Sequence, residues 1–190
     1  MGIRPIAAGE LCRRIVGKSL IRMVRSRFAS HFLPYQYGVG IAAGVERIVH
    51  SVRLTTESHR YDEDFCMVKV DMRNAFNMVS RTVFEDSLRF FPEIRKWVEI
   101  TYSASSHLWY GDWRLRSAEG VQQGDQFGPL LFALALHPVV LTLKDIVGLR
   151  VNLWYLDDGV LAGTHEAVSR ALDVLRSPEV VARGFHLNPG

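Results

Sequence analysis

The chain has 190 residues, 48% of them hydrophobic and 23% charged, a composition that can bury one substantial core and predicts a single compact unit. It contains no apolar run of eighteen residues and no signal-peptide pattern, so we expect an intracellular protein with no membrane partner. Two cysteines, Cys12 and Cys66, have neither the number nor the spacing of a disulfide framework or a zinc site.

Positive charge is concentrated near the start of the chain. The formal net charge is +3 and the sequence pI is about 9.0, which permits a polyanionic partner without requiring one. Residues 11–45 include no acidic side chain, and the apolar spacing predicts a helix over residues 11–28. One face of this helix carries four basic side chains: Arg14, Lys18, Arg22 and Arg25. This face is suited to follow a phosphate backbone, and the alternative is an ordinary solvated surface.

The middle of the chain alternates between helical and strand patterns. In chain order the patterns predict a helix at 45–52, a strand at 65–72, helices at 80–89 and 92–103, a hairpin at 109–116 and an apolar helix at 129–147. Asp71 lies near the carboxyl end of the predicted strand.

The last third of the chain contains a second hairpin signal. Residues 151–163 predict strand structure, and Asp158-Gly159 within them is a dipeptide typical of tight hairpin turns. A turn there would place Asp157 and Asp158 at the tip of the hairpin. A final helix is predicted from residue 164 or 165. Helices combined with a few antiparallel strands predict an α+β layered domain.

Three aspartates are the side chains most suited to chemistry. Asp71 can meet Asp157 and Asp158 if the two predicted strands pair in one sheet. Adjacent carboxylates repel each other, and a bound cation removes this cost. Magnesium prefers oxygen ligands, and two such ions about 3.5–4 Å apart can clamp the attacking and leaving oxygens of phosphoryl transfer. The alternative is a solvent-facing turn, because Asp-Asp-Gly is ordinary turn chemistry.

Longer motifs surround these aspartates. They are, in chain order, VKVDMRNAFN at 68–77, QQGD followed by GPLLF within 122–132, and YLDD at 155–158. Together they resemble the reverse transcriptase family, especially the non-LTR retrotransposon type. The resemblance covers nearly the whole chain, because residues 4–6 and 184–188 also match elements of that family.

The resemblance implies a fold and a domain organisation. The expected fold is α+β: a reverse-transcriptase-like palm with part of the fingers, in which a small antiparallel sheet packs on helices. Residues 1–190 would form a single reverse transcriptase domain, with about 1–60 on the fingers side and about 61–190 in the palm. The family continues beyond the last motif into a lysine that assists proton transfer and a thumb. The chain is therefore expected to be a fragment without a thumb.

The resemblance also implies a metal centre. Its ligands would be the carboxylates of Asp71, Asp157 and Asp158 together with the backbone carbonyl of Met72. These groups would hold two Mg²⁺ ions, with Mn²⁺ as an alternative. All four are oxygen ligands, which both ions accept.

Further residues match the nucleotide-binding positions of the family. Phe76 would lie under the incoming sugar and exclude a 2′-hydroxyl by steric conflict. Gln123 and Gly124 would pack against the nucleotide and its template partner, and Arg4 would contact the triphosphate. The alternatives are that Phe76 is a core aromatic residue and that residues 123–125 form a turn before a helix.

The implied function is that of an RNA-directed DNA polymerase core, which extends a DNA primer on an RNA template with dNTPs and acts in the nucleus. One alternative is an RNA-dependent RNA polymerase palm. Those enzymes place a second aspartate five residues after the first, where this chain has Phe76. The other alternative is a non-catalytic retroelement remnant that at most binds nucleic acid, which the expected lack of a thumb favours.

Overall fold

The structure is a computed structural model that describes residues 10–122 and 124–188, with the backbone alone described for Glu85 and Ser87. Arg4 and Gln123, which the family resemblance marks as nucleotide contacts, lie outside the described residues. No helix of the described chain is long and apolar enough to cross a membrane.

Helices and two small sheets alternate along the described chain. The first part contains α1 (Leu11–Val24), a 3-10 turn (Arg25–Arg27), α2 (Phe28–Phe32) and α3 (Gly44–Ser58). The central part contains β1 (Phe65–Asp71), α4 (Ala75–Met78), α5 (Val83–Leu88), α6 (Pro92–Tyr102), β2 (Ser106–Tyr110) and β3 (Trp113–Ser117). The last part contains α7 (Gly128–Leu143), β4 (Leu149–Tyr155), β5 (Asp158–Thr164), α8 (His165–Leu175) and α9 (Pro178–Ala182). This is the α+β arrangement that the sequence predicted.

Helix starts follow local sequence rules. Pro92 and Pro178 occupy the first turns of α6 and α9, where the missing N–H costs nothing. Thr164 caps α8, since its hydroxyl accepts a hydrogen bond from the backbone N–H of Ala167 at 3.2 Å. The predicted continuous helix at 11–28 is wrong, because a 3-10 turn separates α1 from α2. Phe28, which begins α2, is buried, so tertiary packing overrides the helical pattern at this point.

The core is organised around α7. This helix is strongly apolar, and twelve of its sixteen residues are buried, as expected of an apolar helix inside a globular protein. Its exposed residues are Pro129, Pro138 and Thr142. Its Phe132 stacks on Phe76 with ring centroids 4.5 Å apart, and it meets the ring of Phe185 edge to face at 5.7 Å. These contacts join the segment after β1, the central helix and the segment after α9 into one core.

The larger sheet has the antiparallel order β1-β5-β4. Its outer strands are each bridged by a single residue from another part of the chain. Gln36 bridges to Trp154 in β4, and Leu187 bridges to Met72, which directly follows β1. Antiparallel pairing places the carboxyl end of β1 beside the start of β5, so groups from both strands meet at one end of the sheet.

The turn between β4 and β5 lies earlier than the sequence predicted. Leu156 and Asp157 form it, whereas Asp158 and Gly159 already belong to β5. Gly159 is opposite Trp154, and a Cβ on this glycine would lie 2.7 Å from the indole ring. The glycine therefore permits close packing, and Leu156 adopts the positive φ of the turn, at 56°. As a result only Asp157 lies in the turn itself.

Candidate active site

The three aspartates lie at one end of the larger sheet. Asp71 is the last residue of β1 and is the direct partner of Asp158 in β5. Side chains of directly paired residues share a face of the sheet, with Cβ atoms about 4.5–5.5 Å apart. Asp157 immediately precedes this pair in the turn. The structure therefore brings the three predicted residues to one place in the fold.

Two of these carboxylates are engaged with neighbours that sequence reasoning missed. Lys69 places its Nζ 3.3 Å from an oxygen of Asp158, with the two side chains 73% and 54% exposed. Asn188 donates a side-chain hydrogen bond of 2.8 Å to Asp71. An exposed pair such as Lys69 with Asp158 contributes at most about 1 kcal/mol, so it is easily exchanged for another partner. Lys69 lies two residues before Asp71 on the same strand face, and this alternation was visible in the sequence.

The chemistry of this group suits a hard divalent cation, but the side chains do not converge on one point. Among residues 10–122 and 124–188, no group of three His, Cys, Asp or Glu side chains is positioned to hold a metal ion. Carboxylate oxygens are the donors that Mg²⁺ prefers. Binding would require Asp158 to rotate away from Lys69, which the exposure of both side chains allows.

A buried amide supports the turn that carries Asp157. Gln36 is 1% exposed, and its Oε1 accepts hydrogen bonds from the backbone N–H groups of Leu156 at 2.7 Å and Gly38 at 2.9 Å. Its Nε2 donates to the carbonyl of Leu156 at 3.3 Å. A Cβ on Gly38 would lie 2.7 Å from the Leu156 side chain, so this approach requires glycine. Gln36 therefore fixes the residue directly before Asp157.

A cavity of about 460 Å³ opens beside this turn. Its lining consists of Phe76, Gln122, Gly124, Asp125, Gln126, Gly128, Pro129 and Asp157. The volume is in the range of small-molecule sites. Phe76, Gly124 and Asp157 thus border one space, whereas Asp71 lines a neighbouring cavity of about 840 Å³ together with Lys69.

The loop that closes this cavity is anchored through Asp125. One oxygen of Asp125 accepts hydrogen bonds from Tyr102 Oη at 2.6 Å and from Arg13 at 2.8 Å, and the other accepts from the Phe127 N–H at 3.1 Å. Burial, followed by the negative charge of Asp125, raises the pKa of Tyr102 well above its usual value, so the phenol keeps the proton it donates. Arg13 thereby ties α1 to the cavity loop, a role that its sequence position did not reveal.

The predicted basic face lies on the surface. Arg14, Lys18 and Arg22 are exposed on α1. Arg25 is also exposed but belongs to the 3-10 turn after α1, so it does not continue the helical spacing. The face is accessible to a polyanion, with three of its four cations on one regular helix.

Comparisons with known proteins identify the fold. No protein-family model matches the chain. The retrovirus-related Pol polyprotein from type-2 retrotransposable element R2DM of Drosophila melanogaster is 29% identical over 102 residues, covering 50% of this chain and 10% of the polyprotein. Telomerase from Candida tropicalis in complex with a TWJ fragment of telomeric RNA has a TM-score of 0.62 at 12% identity, covering 90% of this chain and 32% of telomerase. Telomerase from Candida albicans has a TM-score of 0.53 at 13% identity, covering 93% of this chain and 32% of telomerase.

These relatives are much longer than the chain, which spans 10% of the polyprotein and 32% of each of the two telomerase chains. Structural similarity at 12% or 13% sequence identity identifies a fold, and the chemistry has to be argued from the residues of the site. The similarity to the R2DM polyprotein confirms the resemblance that the motifs indicated. The chain has a fold similar to that of telomerase reverse transcriptase and resembles the reverse transcriptase domains of non-LTR retrotransposons.

Proposed function

We propose that this chain is the catalytic core of an RNA-directed DNA polymerase, which transfers deoxynucleotides from dNTPs to the 3′-hydroxyl of a DNA primer on an RNA template. The observation that carries the proposal is the cavity bordered by Phe76, Gly124 and Asp157, since Asp157 directly precedes Asp158, the strand partner of Asp71. In this proposal the palm spans approximately residues 61–190, and the fingers side spans approximately residues 1–60.

The proposed metal ligands are the carboxylates of Asp71, Asp157 and Asp158 and the carbonyl of Met72. When bound, two Mg²⁺ or Mn²⁺ ions would stabilise the charge that develops on the attacking and leaving oxygens of phosphoryl transfer. The backbone bridge to Leu187 supports the use of Met72. Its two hydrogen bonds involve the residues on either side of Met72 and leave the Met72 carbonyl out of the bridge.

The cavity supplies a place for the incoming nucleotide. Phe76 is held flat against Phe132, so its ring is a rigid wall and can exclude a 2′-hydroxyl. Gly124 adopts a positive φ of 102°, which brings bare backbone to the cavity. Gln123 beside it would pack on the base pair, and Arg4 would contact the triphosphate.

The surface of α1 and of the 3-10 turn after it would hold the nucleic acid backbone. Arg14, Lys18, Arg22 and Arg25 present four exposed cations, and binding to phosphates would release counterions. Because Arg13 joins the same helix to the cavity loop through Asp125, nucleic acid bound on α1 would lie on an element fixed to the nucleotide site.

Primer extension with Asp157→Asn tests the proposal. Replacing this carboxylate is expected to lower Mg²⁺-dependent incorporation by on the order of 100-fold or more, because an oxygen ligand at the reacting phosphate loses its charge. The unfolding free energy should change by no more than about 1 kcal/mol. Asp145→Asn, an exposed aspartate elsewhere, is the matched control and should leave incorporation unchanged. Full incorporation by Asp157→Asn would contradict the metal assignment.

Nucleotide selection provides a second test. Phe76→Val should raise incorporation of ribonucleotides relative to deoxynucleotides by roughly 10- to 200-fold, because the wall beside the 2′ position is removed. Phe76→Tyr keeps the ring and should retain the preference for dNTPs. An unchanged preference in Phe76→Val would contradict the proposed position of the sugar. A wild-type preference for ribonucleotides would favour the RNA-dependent RNA polymerase palm.

The second candidate function is nucleic acid binding without catalysis. It is favoured by the ion pair of Lys69 with Asp158 and by the lack of a converged carboxylate group in the described chain. This alternative would be supported by a folded protein that binds an RNA–DNA hybrid but incorporates no nucleotide with Mg²⁺ or Mn²⁺. The result should be the same for this chain by itself and for the chain extended by flanking sequence. Weakening of Mg²⁺ binding by Asp71→Ala would argue against it.

A further inference from the structure

The β2–β3 hairpin exposes an unusual amount of aromatic surface. Trp109, Tyr110 and Trp113 are 71%, 76% and 73% exposed. The two strands pair with each other and, within the described chain, with no third strand. Large aromatic residues clustered in the open indicate an interaction surface, and an isolated two-stranded hairpin is only marginally stable without a partner.

The two faces of this hairpin differ in charge. Residues alternate in direction along each strand, and the register pairs Trp109 with Arg114 and His107 with Arg116. These four residues form what we call the basic hairpin face. The opposite face carries Leu108, Tyr110, Trp113 and Leu115. Neither strand contains an acidic residue.

Side chains within the basic hairpin face already contact one another and the strand end. The Arg114 guanidinium contacts the ring of His107, and Arg116 donates to Ser105 Oγ at 2.7 Å. Neither strand of the hairpin places a carboxylate on this face beside the two arginines. A polyanion is therefore the complementary partner, since it can supply the missing negative charge.

We propose that the basic hairpin face binds single-stranded nucleic acid, with a base stacked on Trp109 and phosphates held by Arg114 and Arg116. Indole stacks on any base, and arginine pairs with the backbone, which is the combination that single-stranded polynucleotides require. A duplex hides the faces of its bases inside its own stack, so the hairpin discriminates in favour of the single strand. The binding itself does not depend on the proposed polymerase activity.

The base of the hairpin is joined to the candidate active site. Just beyond β3, Gly120 donates to the Val79 carbonyl at 3.0 Å, and Val121 donates to the Phe76 carbonyl at 2.7 Å. Arg81 adds bonds to the Gly120 carbonyl at 2.9 Å and to Ser117 Oγ at 3.0 Å. A nucleic acid strand bound on the hairpin is therefore held on an element that is fixed beside the nucleotide cavity. Its use as the template strand rests on the proposed function.

Fluorescence anisotropy with labelled 12-mer oligonucleotides tests the binding without requiring catalysis. Trp109→Ala is expected to weaken binding of single-stranded RNA roughly 5- to 150-fold, the range for loss of one stacked base. Arg114→Gln should reduce the slope of log K against log salt by about 0.7, because the variant neutralises one phosphate fewer. Trp113→Ala on the opposite face, an equally exposed tryptophan, is the matched control and should bind as the wild type does.

Several results would overturn the proposal. One is unchanged affinity in both Trp109→Ala and Arg114→Gln. Another is a larger loss in Trp113→Ala than in Trp109→Ala. A third is a loss of affinity for duplex in Trp109→Ala that equals its loss of affinity for the single strand. Light scattering that shows self-association dependent on Trp109 and insensitive to oligonucleotide would assign the face to a second copy instead. If circular dichroism shows that Trp109→Ala does not fold, retained affinity in Trp109→Phe together with reduced affinity in Arg114→Gln would support the proposal.

The same experiment separates this proposal from the polymerase proposal. Asp145→Asn, which lies in neither the hairpin nor the proposed metal centre, should bind single-stranded RNA with wild-type affinity. Unchanged affinity for single-stranded RNA in both Trp109→Ala and Arg114→Gln, with primer extension by the wild-type protein intact, would refute the hairpin proposal alone. Binding of single-stranded RNA that depends on Trp109 and Arg114, with no nucleotide incorporation under any condition, would refute the polymerase proposal alone.

Discussion

Gln36→Leu is the substitution that best separates positioning from stability in this fold. Leucine keeps a side chain of similar size and removes the amide, so the N–H groups of Leu156 and Gly38 lose their acceptor. A buried donor left without a partner costs about 1–3 kcal/mol. Leu156 must also keep its positive φ of 56°, a strained conformation that the amide helps to hold. We therefore expect the unfolding free energy to fall by about 2–4 kcal/mol.

The assay combines equilibrium denaturation with amide hydrogen exchange at Leu156 and Gly38. Asn152→Leu is the matched control, since Asn152 is a buried amide in the same sheet that bonds to Trp154 Nε1 at 2.7 Å and the Val140 carbonyl at 3.0 Å. The unfolding free energy should fall by a comparable amount in both variants. Under conditions where both are folded, only Gln36→Leu should accelerate amide exchange in the turn and weaken Mg²⁺ binding.

Two outcomes would refute this reasoning. A loss of less than about 0.5 kcal/mol in Gln36→Leu would mean that solvent replaces the amide without cost. Equal effects of Gln36→Leu and Asn152→Leu on turn exchange and Mg²⁺ affinity would mean that Gln36 acts through global stability alone. Gln36→Glu, which retains the acceptor oxygen, should recover part of the turn protection.

Two further predictions concern a buried histidine and a required glycine. Burial, with a smaller effect of the charge on His31, lowers the pKa of His137 from 6.5 to about 4, so protonation favours the unfolded chain. The unfolding free energy, measured by urea unfolding, should be highest above pH 6.5 and should fall by on the order of 2 kcal/mol towards pH 4.5. The same fall in a His137→Phe variant would show that His137 is not its cause. Gly184→Ala should cost several kcal/mol, because φ is 88° and the new Cβ would collide with the Met78 carbonyl. Gly111→Ala, with a φ of 57° and no neighbour within 4 Å, should cost only about 1 kcal/mol, and equal melting temperatures for the two would contradict the clash.

The strand pattern predicted a meeting of the aspartates only on the condition that the two strands pair in one sheet. Alternation over residues 65–72 placed Asp71 at the end of a strand, and antiparallel pairing with Asp158 follows once both strands enter one sheet. The exact turn was not predictable from the dipeptide Asp158-Gly159, because the packing of Trp154 against Gly159 decides the register. Register depends on side chains that meet only in the folded chain.

The residues that sequence reasoning missed act across long separations. Gln36 lies 120 residues from Leu156, and Asn188 lies 117 residues from Asp71. Nothing in the local pattern around Gln36 distinguishes a buried amide from a surface one. The same holds for Arg13, which falls in a row of basic residues but alone reaches Asp125. Such contacts are set by tertiary packing, which local periodicity does not encode.

The bridges on either side of the larger sheet bear on how the protein associates with itself. Exposed strand edges recruit further strands and lead to aggregation. At the end that carries the aspartates, Gln36 covers the outer edge of β4 and Leu187 covers that of β1. Within the described chain, β2 and β3 have no such cover. Edge-to-edge aggregation should therefore start at the hairpin rather than at the end of the larger sheet that carries the aspartates.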